Sequence, residues 1–273
     1  MLSVSAPRLL SLCLLALLLP GAGRAASPDL DRAWTALINV RPDDVLRMLG
    51  DHPSSRPEQL AWAEAKVTRQ PATDANLRDA EEVLVKLAVG EDDIGAEAEY
   101  LRARLYQLHY AQPDYPKAAA LFAALAARRP QSHWAQLGLV KLAMLKLYLL
   151  PDSTAPGADR LAPAESLLAR IHEPLLQRDL HLQIGEAGVA LQQPLARYLP
   201  HLVAADRIGG ISGTSHEDLL VQVGVLSLRS GLYAQARGYF ERYLREYPNN
   251  VRAFSVRAKL VEANLQMAKG GGG

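Results

Sequence analysis

The sequence predicts an all-α chain of antiparallel helix pairs, and three observations support this. After Ser27, apolar residues recur at spacings of three and four, which places them on one face of an α-helix. No stretch of strand length alternates regularly enough to compete with the helical pattern. Proline, glycine and Asx residues divide the chain into helix-length segments, and most of the links contain only two to six residues. Links this short force consecutive helices to pack antiparallel.

Residues 1–25 have the organisation of a secretory signal peptide. Arg8 precedes an apolar run of eleven residues, 9–19, in which Ser11 is the one polar side chain; the run is too short to cross a hydrocarbon core of about 30 Å. Small residues then predict cleavage after Ala25, which implies export to the periplasm or the cell exterior. A buried N-terminal helix and an uncleaved membrane anchor are the alternatives.

Thirteen helices follow, and their limits come from breakers and capping residues. Pro57 stands at the start of the third helix, where Ser54 or Ser55 can cap it, and the fourth helix stops at Gly90. Paired in order, they form about six hairpins and a last, capping helix. The predicted helices cover residues 29–38, 42–50, 57–70, 74–89, 93–111, 115–129, 132–150, 162–173, 175–191, 194–206, 216–230, 233–247 and 250–268.

The hairpins repeat along the chain. Small residues predicted to face a partner helix are Ala80, Ala118, Ala164, Ala196 and Ala236, at intervals of 38, 46, 32 and 40 residues. The 46-residue interval contains a twelve-residue insertion rich in proline and aspartate, and it shortens to 34 without it. A period near 34 indicates a helical repeat array, in which each hairpin buries its apolar face against its neighbours.

The clearest copy of the repeat, residues 217–250, resembles the tetratricopeptide repeat (TPR) family. Ser227 and Tyr243 depart from the family pattern, which has an aromatic and a small residue there. A second copy covers 99–130, and the segment 134–138 matches only the first-helix signature. The matching positions of the clearest copy are Leu220, Val223 and Gly224 in the first helix, Gly231, Leu232 and Tyr233 at the turn, Ala236 and Phe240 in the second helix, and Pro248 at the end.

The resemblance implies a right-handed superhelical solenoid over residues 26–269, with the first helix of each pair lining a concave groove. Such a groove binds an extended peptide or a helix of a partner protein. The resemblance also places Phe254 in a packing position of the last helix. For Leu139 and Leu142 the alternative is packing inside a tightly wound superhelix. The groove positions carried over from the family are Tyr100, Gln107, Tyr110, Leu139, Leu142, Asp218, Val221, Val225, Leu228, Arg229, Arg252 and Lys259.

Composition and motifs argue against several other classes. Thirty basic and 29 acidic side chains give a formal charge of +1, so no basic field favours nucleic acid. Cys13 is the only cysteine, and no two histidines have the spacing of a helical metal site, so neither a metal nor a cofactor is predicted. The glycine-rich segment 208–215 lacks the lysine of a phosphate-binding loop. We expect it instead to start a helix through a capping box of Thr214 with Glu217, or of Ser215 with Asp218.

These features predict an exported, non-enzymatic interaction scaffold, which fits a cell-envelope or secretion assembly. Its partner would be a protein or peptide, not nucleic acid. The chain itself would have no membrane span after signal cleavage, and it could also form a homo-oligomer. The alternative is a helical enzyme or enzyme subunit acting on cell wall or polysaccharide, for which Glu186 is the candidate acid. The insertion 151–162 is expected to be a surface loop, and the glycines at 270–273 a flexible tail.

Overall fold

The computed structural model describes residues 28–154 and 157–270, and within these ranges the chain is helical with no strand. The predicted signal peptide and its cleavage site lie outside the described residues, as do residues 271–273 of the glycine tail. Gly270 is the last residue of a helix. None of the helices in the described ranges combines the length and the apolar character needed to cross a membrane.

The helices follow the predicted order closely. The bounds are α1 Pro28–Ile38, α2 Pro42–Leu49, α3 Arg56–Thr68, α4 Asp74–Leu87, α5 Asp93–Arg104 continued by a π-helical turn Leu105–His109, α6 Tyr115–Arg128, α7 His133–Tyr148, α8 Pro151–Thr154, α9 Ala162–Glu165, a 3₁₀ turn Leu168–Arg170, α10 Pro174–Ala190, α11 Leu195–Ile208, α12 Gly213–Arg229, α13 Tyr233–Glu246 and α14 Ala253–Gly270. We call α1, α3, α5, α7, α10, α12 and α14 the first helices, and α2, α4, α6, α11 and α13 the second helices.

Side-chain caps explain several of these starting points. Ser55, one of the two predicted capping residues, caps α3 and forms a capping box with Glu58. Thr73, Asp92 and Asp114 cap α4, α5 and α6 by accepting hydrogen bonds from backbone N–H groups three residues later. These residues satisfy N–H groups that the first turn of a helix leaves without a partner.

One predicted helix, 162–173, is wrong. The structure has the single turn α9 there, followed by the 3₁₀ turn. The buried residues Leu161, Ala164 and Leu167 are spaced by three, which suits the three residues per turn of a 3₁₀ helix better than the 3.6 of an α-helix. The irregular segment therefore takes the place of a second helix after α7, and it contacts α7 and α10.

The insertion 151–162 is attached to the helices around it in its described part. Its first four residues form the helical turn α8. Asp159 accepts backbone hydrogen bonds from Leu161 at 3.1 Å and Ala162 at 3.2 Å, and it pairs with Arg197 of α11 at 2.8 Å. This end of the loop is therefore held by charge and hydrogen bonding.

The helices pack on their neighbours in sequence, and successive first helices also contact one another, except at the step from α10 to α12. Contacts join α1 to α3, α3 to α5, α5 to α7, α7 to α10, and α12 to α14. Among the described residues, the second helices make no contact of comparable extent with one another. The main hydrophobic core runs from α5 to α12, with smaller cores on either side of it.

Glycine allows the closest helix crossings. A Cβ on Gly224 of α12 would lie 2.5 Å from the ring of Phe240 in α13, and one on Gly185 of α10 would lie 2.4 Å from Leu202 in α11. The predicted alanines at 80, 118, 164 and 236 are fully buried. Ala196 is exposed, so its prediction is wrong: at that crossing the small residues are the glycines of α10.

The predicted capping box before α12 is also wrong. The helix starts at Gly213, earlier than expected, so Thr214 and Ser215 lie inside its first turn. Glu217 instead accepts a hydrogen bond from Asn250, and Asp218 forms an ion pair with Arg252. Both carboxylates thus connect α12 to the turn that precedes α14.

Arg129 holds the turn between α4 and α5 against α6. Its guanidinium donates to the carboxylate of buried Glu99 at 3.0 Å and to the backbone carbonyls of Ala88 at 3.2 Å and Gly90 at 2.5 Å. Arg128 also reaches Glu99, at 2.6 Å, but its own side chain is 58% exposed. The buried carboxylate of Glu99 on α5 therefore fixes Arg129, and Arg129 connects the α4–α5 turn to the end of α6.

Candidate functional site

A row of ionisable side chains crosses the first helices α3, α5, α7 and α10. Members on the same helix are seven residues apart, about two helical turns, so they share a face. Members on different helices interact across the gap between one first helix and the next. We define this ionisable row as Glu64, Glu97, Arg104, Lys141, Tyr148, Asp179 and Glu186.

The row begins with a pair of acids. Glu64 of α3 and Glu97 of α5 share a side-chain hydrogen bond, and both are half-buried. Burial raises the pKa of each carboxyl to about 7, and the charge of Glu64 adds to the effect on Glu97. A hydrogen bond between two carboxyl groups requires a proton, so near neutral pH the pair holds one between them.

Two cations occupy the middle of the row. Arg104 of α5 donates to the side-chain oxygen of Gln107 at 2.8 Å and lies close enough to Lys141 of α7 to repel its charge. Burial first, and the Arg104 charge second, lower the pKa of Lys141, while Asp179 of α10 opposes them. Two neighbouring cations of this kind are a suitable partner for a carboxylate.

The row ends on α10 with acids. Asp179 accepts hydrogen bonds from its neighbour Arg178 at 2.7 and 2.9 Å. Glu186 is exposed at the surface, yet nearby protein desolvates it enough to raise its carboxyl pKa. Burial and the charge of Glu186 raise the pKa of the Tyr148 hydroxyl on α7. The face thus carries acid, base and acid in sequence along the helix stack.

Four of the sequence-predicted groove residues lie in the protein core. Tyr100 is 7% exposed and packs between the rings of Phe122 and Trp134. Gln107, Leu139 and Leu142 are also buried, with 1%, 2% and 4% exposure. These four side chains therefore contribute to packing and present no surface to a partner in this conformation.

Tyr110 lies on a different face, toward α4. Its hydroxyl donates to Glu81 at 2.9 Å, beside the hydroxyl of Tyr106, which donates to the same carboxylate at 2.6 Å. The π-helical turn before it contains an extra residue, which rotates the end of α5 relative to a regular helix. A register counted along an ideal helix therefore misplaces this residue.

The predicted groove residues at the C-terminal end lie together. On α12 they follow the helical period and are exposed or half-exposed, and Asp218 pairs with Arg252 in the turn before α14. The three apolar members also pack at the edge of the C-terminal core. The residues concerned are Asp218, Val221, Val225, Leu228, Arg229, Arg252 and Lys259.

The sequence contains a signal for the ionisable row that was missed. On α5, α7 and α10, polar residues seven apart lie on the side of each first helix away from its most buried residues. The pairs are Glu97 with Arg104, Lys141 with Tyr148, and Asp179 with Glu186. Such pairs on successive first helices would have identified the row without a family register.

Four of the histidines, at 133, 181, 201 and 216, have side-chain hydrogen-bond partners. His181 and His201 approach through their Nδ1 atoms at 2.9 Å, and His133 contacts Glu173 at 2.7 Å. Across residues 28–154 and 157–270, no three histidine, cysteine, aspartate or glutamate side chains form a group that could hold a metal ion. The pKa of the Glu186 carboxyl is raised by burial, and no charged neighbour contributes to this rise.

Comparison with known proteins gives no family assignment. No protein-family model and no curated protein matches this chain.

Proposed function

We propose that this protein is an exported, non-enzymatic scaffold that binds a protein partner along the face carrying the ionisable row. The carrying observation is the difference between the two sets of helices. Successive first helices contact one another from α1 to α10 and again from α12 to α14, whereas the second helices do not pack on one another to a comparable extent. A stack that is tighter on one side curves toward that side, so the first-helix face is the concave one.

A TPR-like solenoid is the architecture that fits this proposal. Two features of the clearest repeat support it: Gly224 lies against Phe240, and Gly231 adopts a positive φ of 74° at the turn. Leu220, Ala236 and Phe240 are fully buried in one cluster, as packing positions of such a repeat should be. Export rests on the sequence of residues 1–25.

The charges of the face define the kind of ligand. Arg104 and Lys141 are partly desolvated, and acids lie on either side of them. A peptide or partner helix that places a carboxylate between these two cations, with basic residues on either side, would complement the row. At the C-terminal end, Val221 and Val225 add half-exposed apolar surface for an aliphatic or aromatic anchor.

The experiment is affinity capture from an envelope extract with the processed protein as bait, followed by identification of the bound proteins. The test variant is Arg104→Glu combined with Lys141→Glu. The matched control is Lys86→Glu, a charge reversal on the exposed surface of the second helix α4.

We expect the same partner with the natural protein and the control, and at least a tenfold loss with the double variant. Capture of no partner, or equal capture by all three proteins, would overturn the proposal. Circular dichroism of the double variant checks that its helices are intact.

The enzyme alternative keeps one supporting observation, the raised carboxyl pKa of exposed Glu186. A glycosidase acid needs such a shift, together with a second carboxylate about 5–9.5 Å away. Turnover of cell-wall material that disappears in Glu186→Gln would favour the enzyme over the scaffold.

A further inference from the structure

The last helix, α14, exposes a continuous apolar stripe. Phe254 is 81% exposed, Val261 and Leu265 are each 57% exposed, and the alanines at 258 and 268 are exposed as well. We call these five residues the α14 stripe. They are separated by four, three, four and three residues, so they lie on one side of the helix. The sequence-based placement of Phe254 in a packing position is therefore wrong for the chain as the structure describes it.

A second apolar face of α14 is already used. Ala253, Val256 and Ala263 are buried against the preceding helices, with 3%, 1% and 0% exposure. The α14 stripe lies nearly opposite this packed face. A helix with two apolar faces, one packed and one exposed, is typical of an element that joins two bodies.

On α12, the face equivalent to the α14 stripe is covered by other helices. Thirty-four residues before Phe254, Ala258 and Val261 stand Leu220, Gly224 and Ser227. All three are buried, and Gly224 lies directly against α13. Among the described residues no helix follows α14 to cover its stripe.

The spacing of the stripe is that of a heptad. Phe254, Val261 and Ala268 take the d positions, and Ala258 and Leu265 the a positions, of a two-stranded coiled coil. Arg257 then falls at g and Glu262 at the following e. Both are exposed, and within the described chain neither forms an ion pair.

These charges complement each other between two copies. In a parallel pair, a g residue faces the e residue five positions later on the partner helix, so Arg257 of each copy meets Glu262 of the other. In an antiparallel pair, equivalent flanks face each other, and the two opposite charges do not meet. We propose that α14 forms a parallel, two-fold symmetric pair with α14 of a second copy of this chain.

The helix has 18 residues, or about 27 Å, so the seam is short. A pair of this size gives a dimer that dissociates on dilution. The inference concerns a surface separate from the ionisable row, and it stands or falls independently of the proposed function.

The first test is molar mass by light scattering or sedimentation across a concentration series. We expect the mass to rise twofold, from monomer to dimer, with increasing concentration. Val261→Glu and Leu265→Glu should each keep the protein monomeric over the same range. Val89→Glu, at another exposed apolar residue with 80% exposure, is the matched control and should still dimerise.

The second test uses charge exchange, which leaves the apolar seam intact. Arg257→Glu alone or Glu262→Arg alone should weaken the dimer at least tenfold, because like charges then face each other. The double exchange should restore it, and a mixture of the two single variants should form the heterodimer. Equal mass in all of these variants would overturn the proposal.

The third test reports orientation by disulfide formation in a Cys13→Ser background. In a parallel pair, Phe254→Cys cross-links to itself, and so does Leu265→Cys. Cross-linking only when the two variants are mixed would show an antiparallel pair and refute the proposed arrangement. A monomer at every concentration would refute the dimer itself and leave the stripe to a different protein.

Discussion

Replacing Gly224 by alanine tests the close crossing of α12 and α13. The added Cβ would lie 2.5 Å from Cε1 and 2.8 Å from Cδ1 of Phe240, where unstrained contacts need more than 3.4 Å. The Phe240 ring is fully buried, so it has no free space into which to turn. Overpacking of this kind costs about 1–3 kcal/mol.

Helix propensity acts in the opposite direction, because alanine stabilises a helix interior by about 1 kcal/mol relative to glycine. We therefore expect Gly224→Ala to lower the free energy of unfolding by about 1 kcal/mol. Gly238→Ala in α13 is the control, since a Cβ there meets nothing within 4 Å. It should raise the free energy of unfolding by about 0.5–1 kcal/mol.

The assay is urea denaturation followed by far-ultraviolet circular dichroism. The difference between the two variants, about 1–3 kcal/mol, isolates the steric cost because the gain in propensity is common to both. Equal stabilisation by the two alanines would show that α12 and α13 do not approach as described. Adding Phe240→Leu to Gly224→Ala should recover part of the steric loss, since a smaller side chain leaves room for the Cβ.

Two further predictions concern buried charge. Arg129→Ala should destabilise the protein by about 2–3 kcal/mol, because it leaves the buried carboxylate of Glu99 with only one cation. Arg128→Ala should cost no more than about 1 kcal/mol, because the Arg128 side chain is largely exposed. Thermal unfolding of both variants checks this difference. The carboxyls of Glu64 and Glu97 have a pKa of about 7 in the folded protein, above their ordinary value of 4.5. The folded state therefore binds more protons than the unfolded state, and the free energy of unfolding falls as pH rises from 5 to 8. Glu64→Gln should flatten this pH dependence, and an unchanged slope in urea titrations at several pH values would contradict the assignment.

Helix positions were predictable because their signals are local. Thr73 and Asp92 cap helices that apolar periodicity had already located, and each cap acts within three residues. The segment after α8 escaped prediction because the three-residue spacing of Leu161, Ala164 and Leu167 also occurs along one face of an α-helix, and over so short a distance it does not reveal the 3₁₀ period. Its end is also set from far away, because Gln136 accepts hydrogen bonds from the backbone at the start of α10.

The proposed binding face was harder to predict than the fold, because its position depends on how each helix is rotated about its axis. A family register placed Tyr100 and Leu139 in the groove, yet both pack inside the protein. The pairing of Glu64 with Glu97 joins residues 33 positions apart on two helices, and no local pattern specifies such a contact. On α12, where the repeat is clearest, Val221 and Val225 do lie on a common half-exposed face.

The order of contacts along the chain has a consequence for how its unfolding would be observed. Each helix touches only its near neighbours, so nothing obliges the two ends to lose structure at the same denaturant concentration. The three tryptophans, at positions 34, 62 and 134, belong to α1, α3 and α7. Indole fluorescence would therefore follow unfolding of the N-terminal half alone, while circular dichroism would average over every helix. A difference between the two denaturation curves would measure how independently the two halves unfold.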